Sequence, residues 1–309
     1  MVLLPTSFHF MILRYETMKN KKIRILLFLF LTCLFVFQSL GFCQRSQTKA
    51  KTNKAGHLFI IGGGEKTDRL MKELLRVSGV RCEDYVIILP MSSEEPDSSV
   101  IFAKEDFASA GIKKVVGFNF TKDEPVTPSR FDTIIKAKLI FITGGDQTRF
   151  MQIVGNGPIK QAIHEAYKNG STIAGTSAGA AVMSKKMITG KALKYPEYTG
   201  KYPTLEPRNI EITEGLGLIS DLIIDQHFIK RQRMNRLIAV SLENPIETCI
   251  GIDESTAIVV TGNSFMVVGE NQVAVLRNPQ KSKKIQGKLM GGKGLLLDIL
   301  LPGDIWKFK

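Results

Sequence analysis

The sequence contains few of the side chains that build disulfide networks and metal sites. Its 309 residues include four cysteines, four histidines and one tryptophan. Outside residues 1–44 only Cys82 and Cys249 remain, and two cysteines do not form a disulfide framework. Cys249 lies in an apolar run, so we expect it to be a buried, inert thiol. No internal repeat and no long low-complexity tract is present, and 44% hydrophobic with 23% charged residues excludes a disordered or fibrous chain.

No segment carries a dense stripe of positive charge, although the net charge is +13. Residues 1–44 contribute +4 and residues 45–55 another +4, so the rest of the chain holds only +5. A domain this mildly basic, without a recognised nucleic-acid motif, is not expected to bind nucleic acid. The remaining implication is a modest attraction to anionic substrates.

A secretory signal peptide is predicted near the amino terminus. Four basic residues precede the apolar run Ile25–Phe37, and Gly41 and Cys43 are small residues at the −3 and −1 positions of a cut before Gln44. A basic start, an apolar centre and small residues before the cut are the parts of such a signal. Met18 opens this pattern, so we expect it to be the true start.

The pattern divides the chain into three segments. We expect a leader and signal peptide over residues 1–44, a flexible polar linker over 45–55, and one folded domain over 56–309. The protein is then secreted or periplasmic. The alternative is an uncleaved membrane anchor, which the short apolar run disfavours because a membrane-spanning helix needs ~20 residues.

Strand-like and helix-like segments alternate through most of the domain. The strand-like segments are short apolar runs at residues 57–61, 85–89, 114–118, 139–143 and 171–175. Apolar residues at helical spacing lie between them, at residues 67–77, 100–110 and 159–169. This alternation implies right-handed βαβ units and a mainly parallel sheet flanked by helices. In the last third, short strands at 257–260, 265–268 and 273–276 predict β-hairpins added to the edge of the parallel core.

A candidate nucleophile follows one of these strands. Gly175–Gly179 reads G-x-S-x-G between a strand and a segment that can be helical, which is the context of a nucleophile elbow with Ser177 at its tip. The backbone N–H of Ala178 is a natural donor for an oxyanion hole, and Gly145, after another strand, offers a second. The alternative is an ordinary strand-to-helix turn with a capping serine.

Three histidines outside residues 1–44 are candidates for the general base that activates Ser177. A serine needs such a base to become nucleophilic near neutral pH. His57 opens the first predicted strand and His164 lies in the middle of a helix. His227 ends an apolar strand, at the same edge of the sheet as Ser177, and is therefore the best candidate.

A carboxylate must hold the imidazole in one tautomer. Asp253 and Glu254 lie side by side after a predicted strand, and Asp225 is two residues before His227. The residue pattern leaves these three open. For Asp253 and Glu254, a solvated turn is the alternative without a functional role.

Several segments, in this order, resemble serine peptidase family S51 of the cyanophycinase type. They are Gly62–Glu65, Gly144–Gln147, Gly175–Ala180, Asp225–Phe228 with Arg231, Arg233 and Arg236, Gly251–Ala257, and Leu300–Asp304. Together they span nearly all of residues 57–309, and the combination is far more specific than any single motif.

The resemblance implies a fold similar to class I glutamine amidotransferases, in the flavodoxin-like class. It implies a triad of Ser177 as nucleophile, His227 as base and Glu254, ahead of Asp253, as the group that orients the base. It also implies a substrate pocket, a homodimer, and acyl transfer without a metal or an organic cofactor. The implied pocket residues are Gln147, Asp225, Gln226, Arg231, Arg233 and Arg236.

The implied substrate is cyanophycin, a polyaspartate with arginines on its β-carboxyls, or another Asp-rich isopeptide. Each arginine branch has a carboxylate that Arg231, Arg233 and Arg236 could bind, and a guanidinium that Asp225 could pair with. The product is then the β-Asp-Arg dipeptide. The alternative for the three arginines is a solvated basic helix start.

Two other functions remain open at this point. One is a different S51 specificity, an aspartyl or isoaspartyl dipeptidase, which the three arginines disfavour. The other is a non-catalytic secreted binding protein on the same scaffold. A glutamine amidotransferase is disfavoured because serine stands where those enzymes use cysteine. We expect the segment 191–209, which is least similar to the family, to rim the pocket.

Overall fold

The computed structural model describes residues 55–197 and 202–308. The predicted leader and signal peptide, nearly all of the predicted linker, and residues 198–201 of the segment 191–209 lie outside the described residues. Within the described ranges, no helix combines the length and the apolar character needed to cross a membrane.

Helices and strands alternate in the described chain much as the sequence predicts. The helices are α1 (Asp68–Ser78), α2 (Pro96–Ser109), α3 (Pro128–Lys136), α4 (Gln147–Val154), α5 (Pro158–Lys168), α6 (Ala178–Ala181) and α7 (Met234–Glu243). The strands are β1 (Leu58–Ile61), β2 (Val86–Leu89), β3 (Val115–Gly117), β4 (Leu139–Ile142), β5 (Thr172–Thr176), β6 (Lys186–Ala192), β7 (Ile210–Glu214), β8 (Leu222–Gln226), β9 (Thr248–Ile252), β10 (Thr256–Thr261), β11 (Ser264–Gly269), β12 (Val273–Arg277), β13 (Lys284–Gln286), β14 (Leu289–Gly291), β15 (Leu296–Leu300) and β16 (Ile305–Lys307).

The main sheet has eight strands in the order β16-β11-β10-β1-β5-β4-β2-β3. Five neighbouring strands of this sheet are mutually parallel, in the order β1-β5-β4-β2-β3. Beyond β1, the strands β10, β11 and β16 extend the sheet in antiparallel fashion. The predicted parallel sheet flanked by helices is therefore confirmed. The hairpin of β10 and β11 is attached to the edge of the parallel core, as predicted.

The central strands are apolar along their whole length because both faces of the sheet are covered. In β1, Leu58 and Ile60 belong to one apolar cluster, whereas Phe59 and Ile61 belong to another. Successive side chains of a strand point to opposite faces, so each face receives every second residue. A continuous run such as LFII is thus typical of a buried parallel strand.

A second sheet, in the order β15-β12-β9-β8, stands apart from the main sheet. Strands β8 and β9 are parallel, and β12 pairs antiparallel with β9, with Val273 opposite Ile252. The prediction that 273–276 forms a hairpin at the edge of the parallel core is therefore wrong. The open edge of β1 is already taken by β10, and β12 pairs instead with β9, where helix α7 helps to bury it.

The carboxyl ends of β1, β4, β5, β8 and β9 converge on one side of the molecule. The segments that follow them carry the sequence motifs singled out above. In open α/β sheets, ligands bind outside the carboxyl ends of the strands. The fold thus brings motifs that are far apart in sequence into one place.

Candidate active site

Ser177 stands at a strained turn between β5 and α6. Its backbone has φ of 54° and ψ of −109°, which is uncommon for a residue with a side chain. The N–H of Ser177 donates to the carbonyl of Ile61 on β1 at 3.0 Å, so the turn is anchored to the neighbouring strand. Strain of this kind concentrates at functional sites, where the surrounding structure holds it in place.

His227 follows β8 and contacts Ser177 directly. Its Nε2 lies 2.9 Å from Ser177 Oγ, and its own backbone also has a positive φ of 48°. The backbone N–H of His227 donates to the carbonyl of Gly62 at 2.7 Å. The next glycine, Gly63, lies against the ring, and a Cβ there would come within 2.3 Å of the imidazole. The imidazole therefore packs directly against the backbone of Gly63, and any side chain at this position would overlap the ring.

Glu254, and not Asp253, contacts the imidazole. Glu254 Oε1 lies 2.7 Å from His227 Nδ1. Asp253 is buried and instead accepts hydrogen bonds from the backbone N–H groups of Ile229 and Lys230 at 3.1 and 2.9 Å. Of the two neighbouring carboxylates, only Glu254 is therefore within hydrogen-bonding distance of the imidazole.

The environment of His227 favours its neutral form. Burial lowers the pKa of the imidazole, and the positive charges of Arg231 and Arg233 lower it further, while the hydrogen bond and charge of Glu254 oppose these effects. The net pKa lies below its ordinary value of 6.5. An imidazole that is neutral at pH 7 can accept the proton of a serine hydroxyl.

The two predicted oxyanion donors lie beside Ser177. Ala178 is fully buried at the start of α6. In the turn after β4, a Cβ added at Gly144 would lie 3.4 Å from Ser177 Cβ. The following residue, Gly145, has φ of 132°, and a Cβ there would overlap the carbonyl oxygen of Ser92. The close approach of this turn to Ser92 therefore requires glycine at position 145.

A pocket of about 260 Å³ opens beside Ser177. Its walls combine residues from the turn after β4, from β6 and from the segment after β8. They are Gly145, Asp146, Gln147, Thr148, Ser177, Thr189, Gly190, Lys191, Gln226, Arg231, Arg233 and Arg236. Five of the six predicted pocket residues are in this list.

The sixth predicted residue, Asp225, does not line the pocket, so the expectation from the sequence is wrong at this position. Its side chain is 0% exposed and both carboxylate oxygens are bound by Arg236, with Nε at 2.8 Å from Oδ2 and Nη2 on Oδ1. Arg233 lies 3.6 Å from the same carboxylate. Asp225 is therefore not placed to pair with a substrate guanidinium; it holds arginines in position from behind the pocket.

The other pocket residues are held by further contacts. Gln147 is buried, and its amide nitrogen donates to the carbonyls of Ile188 and Thr189 on β6 at 3.0 and 2.7 Å. Gln226 Oε1 accepts from Arg233 Nη1 at 2.6 Å. Arg231 is exposed at the rim.

Sequence reasoning missed several residues of the pocket. Asp146 is exposed beside Ser177, and its Oδ1 caps α4 by accepting from the backbone of Thr148. Its position directly after a strand, inside the Gly144–Gln147 motif, was a signal that could have identified it. Tyr202 supports the pocket without lining it: its hydroxyl accepts from Arg236 Nη1 at 2.9 Å and donates to the carbonyl of Gly190 at 2.9 Å. Lys191, at the start of the segment 191–209, is part of the lining, so this segment reaches the pocket as expected.

The pocket has more positive than negative groups. Lys191, Arg231, Arg233 and Arg236 line it against the single carboxylate of Asp146, while the buried Asp225 pairs with Arg236 behind the pocket. Lys191 and Arg231 are exposed, so their charges attract an anion from solvent. The site is therefore suited to a ligand that carries a carboxylate. Among the described residues, no group of three or more His, Cys, Asp or Glu side chains has the arrangement of a metal site.

Comparisons with known proteins agree with this picture. The sequence profile of peptidase family S51 matches residues 58–268. A cyanophycinase of Nostoc sp. (strain PCC 7120) is 33% identical over 228 residues, which cover 71% of this chain and 72% of that protein. A cyanophycinase of Geminocystis herdmanii is 35% identical over 263 residues, which cover 82% of this chain and 93% of that protein.

A solved structure supports the fold independently. The crystal structure of a peptidase from an acI-B1 actinobacterium superposes with a TM-score of 0.60 at 22% identity. The superposition covers 83% of this chain and 98% of the other. At this identity, the likeness concerns the arrangement of strands and helices.

Proposed function

Because the chain belongs to peptidase family S51 and is a serine peptidase, we propose that Ser177, His227 and Glu254 form its catalytic triad and that it hydrolyses cyanophycin or a similar Asp-rich isopeptide. The observation that carries this proposal is one continuous set of contacts. Ser177 Oγ, His227 and Glu254 are linked at 2.9 and 2.7 Å, at the mouth of a pocket with surplus positive charge.

In the first half of the reaction, His227 Nε2 takes the proton of Ser177 Oγ while the oxygen attacks the carbonyl carbon of the scissile bond. The N–H groups of Ala178 and Gly145 stabilise the negative oxygen that forms. The C–N bond then breaks, His227 gives its proton to the departing amine, and Ser177 is left esterified. Glu254 accepts from Nδ1–H throughout and stabilises the imidazolium.

In the second half, a water molecule takes the place of the amine. His227 removes its proton, the water oxygen attacks the ester carbonyl, and the C–O bond to Ser177 breaks. The proton returns to Ser177 Oγ. The acid is released and the serine is regenerated, so the sum is hydrolysis of one bond by one water.

The charges of the pocket support the proposed substrate class. An arginine linked to the β-carboxyl of aspartate presents its own α-carboxylate, which suits the exposed Arg231 because the guanidinium fork binds carboxylates in pairs of hydrogen bonds. The fork of Arg236 is already occupied by Asp225 and Tyr202, so Arg236 contributes through its charge. Its guanidinium needs an acid, and Asp146 is the exposed carboxylate of the pocket. The cyanophycinase relatives carry the same implication for the substrate.

The test is product analysis by mass spectrometry after incubation of the purified protein with cyanophycin. Release of β-Asp-Arg by the protein, but not by Ser177→Ala, is the expected result. Release of products from short α-aspartyl peptides alone would instead favour the dipeptidase alternative. If a fluorophosphonate failed to label Ser177 and no substrate were cleaved, the catalytic proposal would be wrong.

We also propose that residues 1–44 direct export of the protein. Their basic start and the apolar run Ile25–Phe37 support this. Expression of the full chain in a bacterial host, followed by fractionation and amino-terminal sequencing, tests it. A mature protein that begins at Gln44 is expected, whereas an intact chain in the cytoplasmic fraction would contradict export.

A homodimer is the assembly that we propose. Strand β15 lies at an edge of the second sheet and exposes Leu296, Leu297 and Ile299 by 44%, 47% and 50%. Exposed apolar surface of this kind is typical of interaction sites. Light scattering of the purified protein is expected to give twice the monomer mass, and Leu297→Lys with Ile299→Lys is expected to give the monomer mass.

A further inference from the structure

A second crevice, of about 300 Å³, lies at the same end of the main sheet as the catalytic pocket. It is formed by the segments after β2 and β3 and by one side of α4. Strand β2 is flanked by β3 on one side and by β4 on the other. The chain thus runs from β2 to β3 in one direction and returns to β4 on the opposite side. Such a switch point is where open α/β sheets form ligand crevices.

The base of the crevice is apolar and its rim is basic. Met91 and Phe120, each 1% exposed, lie at the base. Lys122 and Arg149 belong to the lining, and both are exposed. Neither cation forms an ion pair within the described ranges. The nearby acid Glu124 is already engaged, because it accepts from Arg130 Nη1 at 2.7 Å. Two unneutralised cations beside apolar surface suit an anionic ligand.

The wall that carries Phe120 is held firmly. The guanidinium of Arg130 lies 3.9 Å from the centre of the Phe120 ring. Its Nη2 donates to the carbonyl of Asn119 at 2.7 Å. Glu124 is tied in turn to the backbone N–H of Thr121 at 2.8 Å. The segment that presents Lys122 is therefore organised before any ligand binds, which reduces the entropy lost on binding.

The crevice and the catalytic pocket share a wall. Gly145 of the pocket is packed against Ser92, and the N–H of Asp146 donates to the Ser92 carbonyl at 2.7 Å. The next residue, Ser93, lines the crevice. On α4, Thr148 faces the catalytic pocket and Arg149 faces the crevice. An extended chain held at Ser177 could therefore pass over this wall.

We propose that the crevice is a second substrate subsite, in which Lys122 and Arg149 bind a carboxylate of the substrate chain beyond the residue held at Ser177. The inference rests on the proposed function, since it assumes a polymer whose arginine branches each end in a carboxylate. It adds that units beyond the one held at Ser177 strengthen binding through Lys122 and Arg149. Binding energy from such a remote site favours polymeric substrates.

The test compares two substrate fragments of different length on the full chain carrying Ser177→Ala, so that no cleavage occurs. Calorimetric titration with a three-unit cyanophycin fragment and with β-Asp-Arg gives the ratio of the two affinities. Adding Lys122→Gln and Arg149→Gln is expected to lower this ratio about tenfold, since two partly exposed ion pairs are lost. The charge-matched control is Lys72→Gln with Lys113→Gln, two exposed lysines outside both pockets.

Three outcomes would overturn the subsite. The first is equal affinity for the two fragments in the Ser177→Ala protein. The second is an unchanged affinity ratio after Lys122 and Arg149 are replaced. The third is an equal fall of this ratio in the Lys72 and Lys113 control. The proposed function is judged separately, by cleavage of cyanophycin by the unsubstituted protein. If cleavage were absent while the preference for the longer fragment still depended on Lys122 and Arg149, the proposed hydrolysis would fail and the subsite would stand.

Discussion

Arg236 donates two hydrogen bonds to Asp225, and both side chains are almost completely buried behind the catalytic pocket. The pair raises the pKa of the Arg236 guanidinium, because the neighbouring carboxylate outweighs the effect of burial. Arg236 therefore keeps its charge in a place where an unpaired cation would be very costly.

This pair predicts a large effect of a small change at Asp225. Replacing Asp225 with Asn leaves the guanidinium of Arg236 buried without the carboxylate that pairs with it. We expect the free energy of unfolding to fall by about 3–5 kcal/mol, as for other broken buried ion pairs. Urea unfolding followed by circular dichroism measures this. Asp146→Asn is the matched control, because Asp146 is exposed, and a similar loss in that variant would contradict the explanation.

The acidic side of the pH profile reports on His227. Because burial and the two arginines lower the pKa of His227 below 6.5, the midpoint of the acidic limb of kcat/KM is expected to lie below pH 6.5. Removing one of these charges with Arg231→Gln raises the pKa, so the acidic limb moves to higher pH. Lys113→Gln, on the same protein but outside the pocket, is expected to leave the limb in place.

The lowered pKa of His227 also determines how the folding stability changes with pH. The folded state holds His227 with a lower pKa than the unfolded state, so the unfolded state binds more protons as the pH falls through 6.5. The contribution of His227 to stability is thus present above this pH and is lost below it. His227→Gln is expected to flatten this part of the stability profile, and an unchanged slope would contradict the assignment.

The neighbours Asp253 and Glu254 are expected to behave differently. Glu254→Gln removes the charge that orients His227 and should lower kcat by about 10³–10⁴-fold with little effect on stability. Asp253→Asn weakens the hydrogen bonds to the backbone of Ile229 and Lys230 and should cost about 1 kcal/mol of stability. Parallel kinetics and thermal unfolding of the two variants test this, and a reversed pattern would exchange their roles.

Asp146 is predicted to recognise the arginine branch of the substrate. Asp146→Asn keeps the cap of α4, since Asn caps helices about as well as Asp. It removes the charge that would face a guanidinium, so KM for β-Asp-Arg chains should rise about tenfold, as expected for a charge-assisted hydrogen bond. Chains with citrulline, which is neutral, should show a much smaller rise. Equal effects on both substrates would exclude this role.

Local sequence pattern determined the alternation of strands and helices. The run LFII is β1, and the segment 159–169 matches α5, because a buried parallel strand and a helix with one apolar face each have a pattern that neighbouring residues encode. The pairing of strands, in contrast, is not encoded by neighbouring residues. The run at 273–276 was correctly predicted as a strand, but its pairing with β9 depends on which sheet edge is free once the whole chain has folded.

Sequence motifs likewise located Ser177 and His227, because a strand-to-helix turn with small neighbours and a histidine at a strand end are local features. The family resemblance already favoured Glu254 over Asp253, whereas only the tertiary structure showed which partners Asp225 and Asp253 contact. Asp225 precedes Arg236 by eleven residues, and α7 turns the arginine back onto it. Glu254 and Asp253 are adjacent, yet only one reaches the imidazole. Burial and direction are properties of the packed molecule, and no local pattern of residue types encodes them.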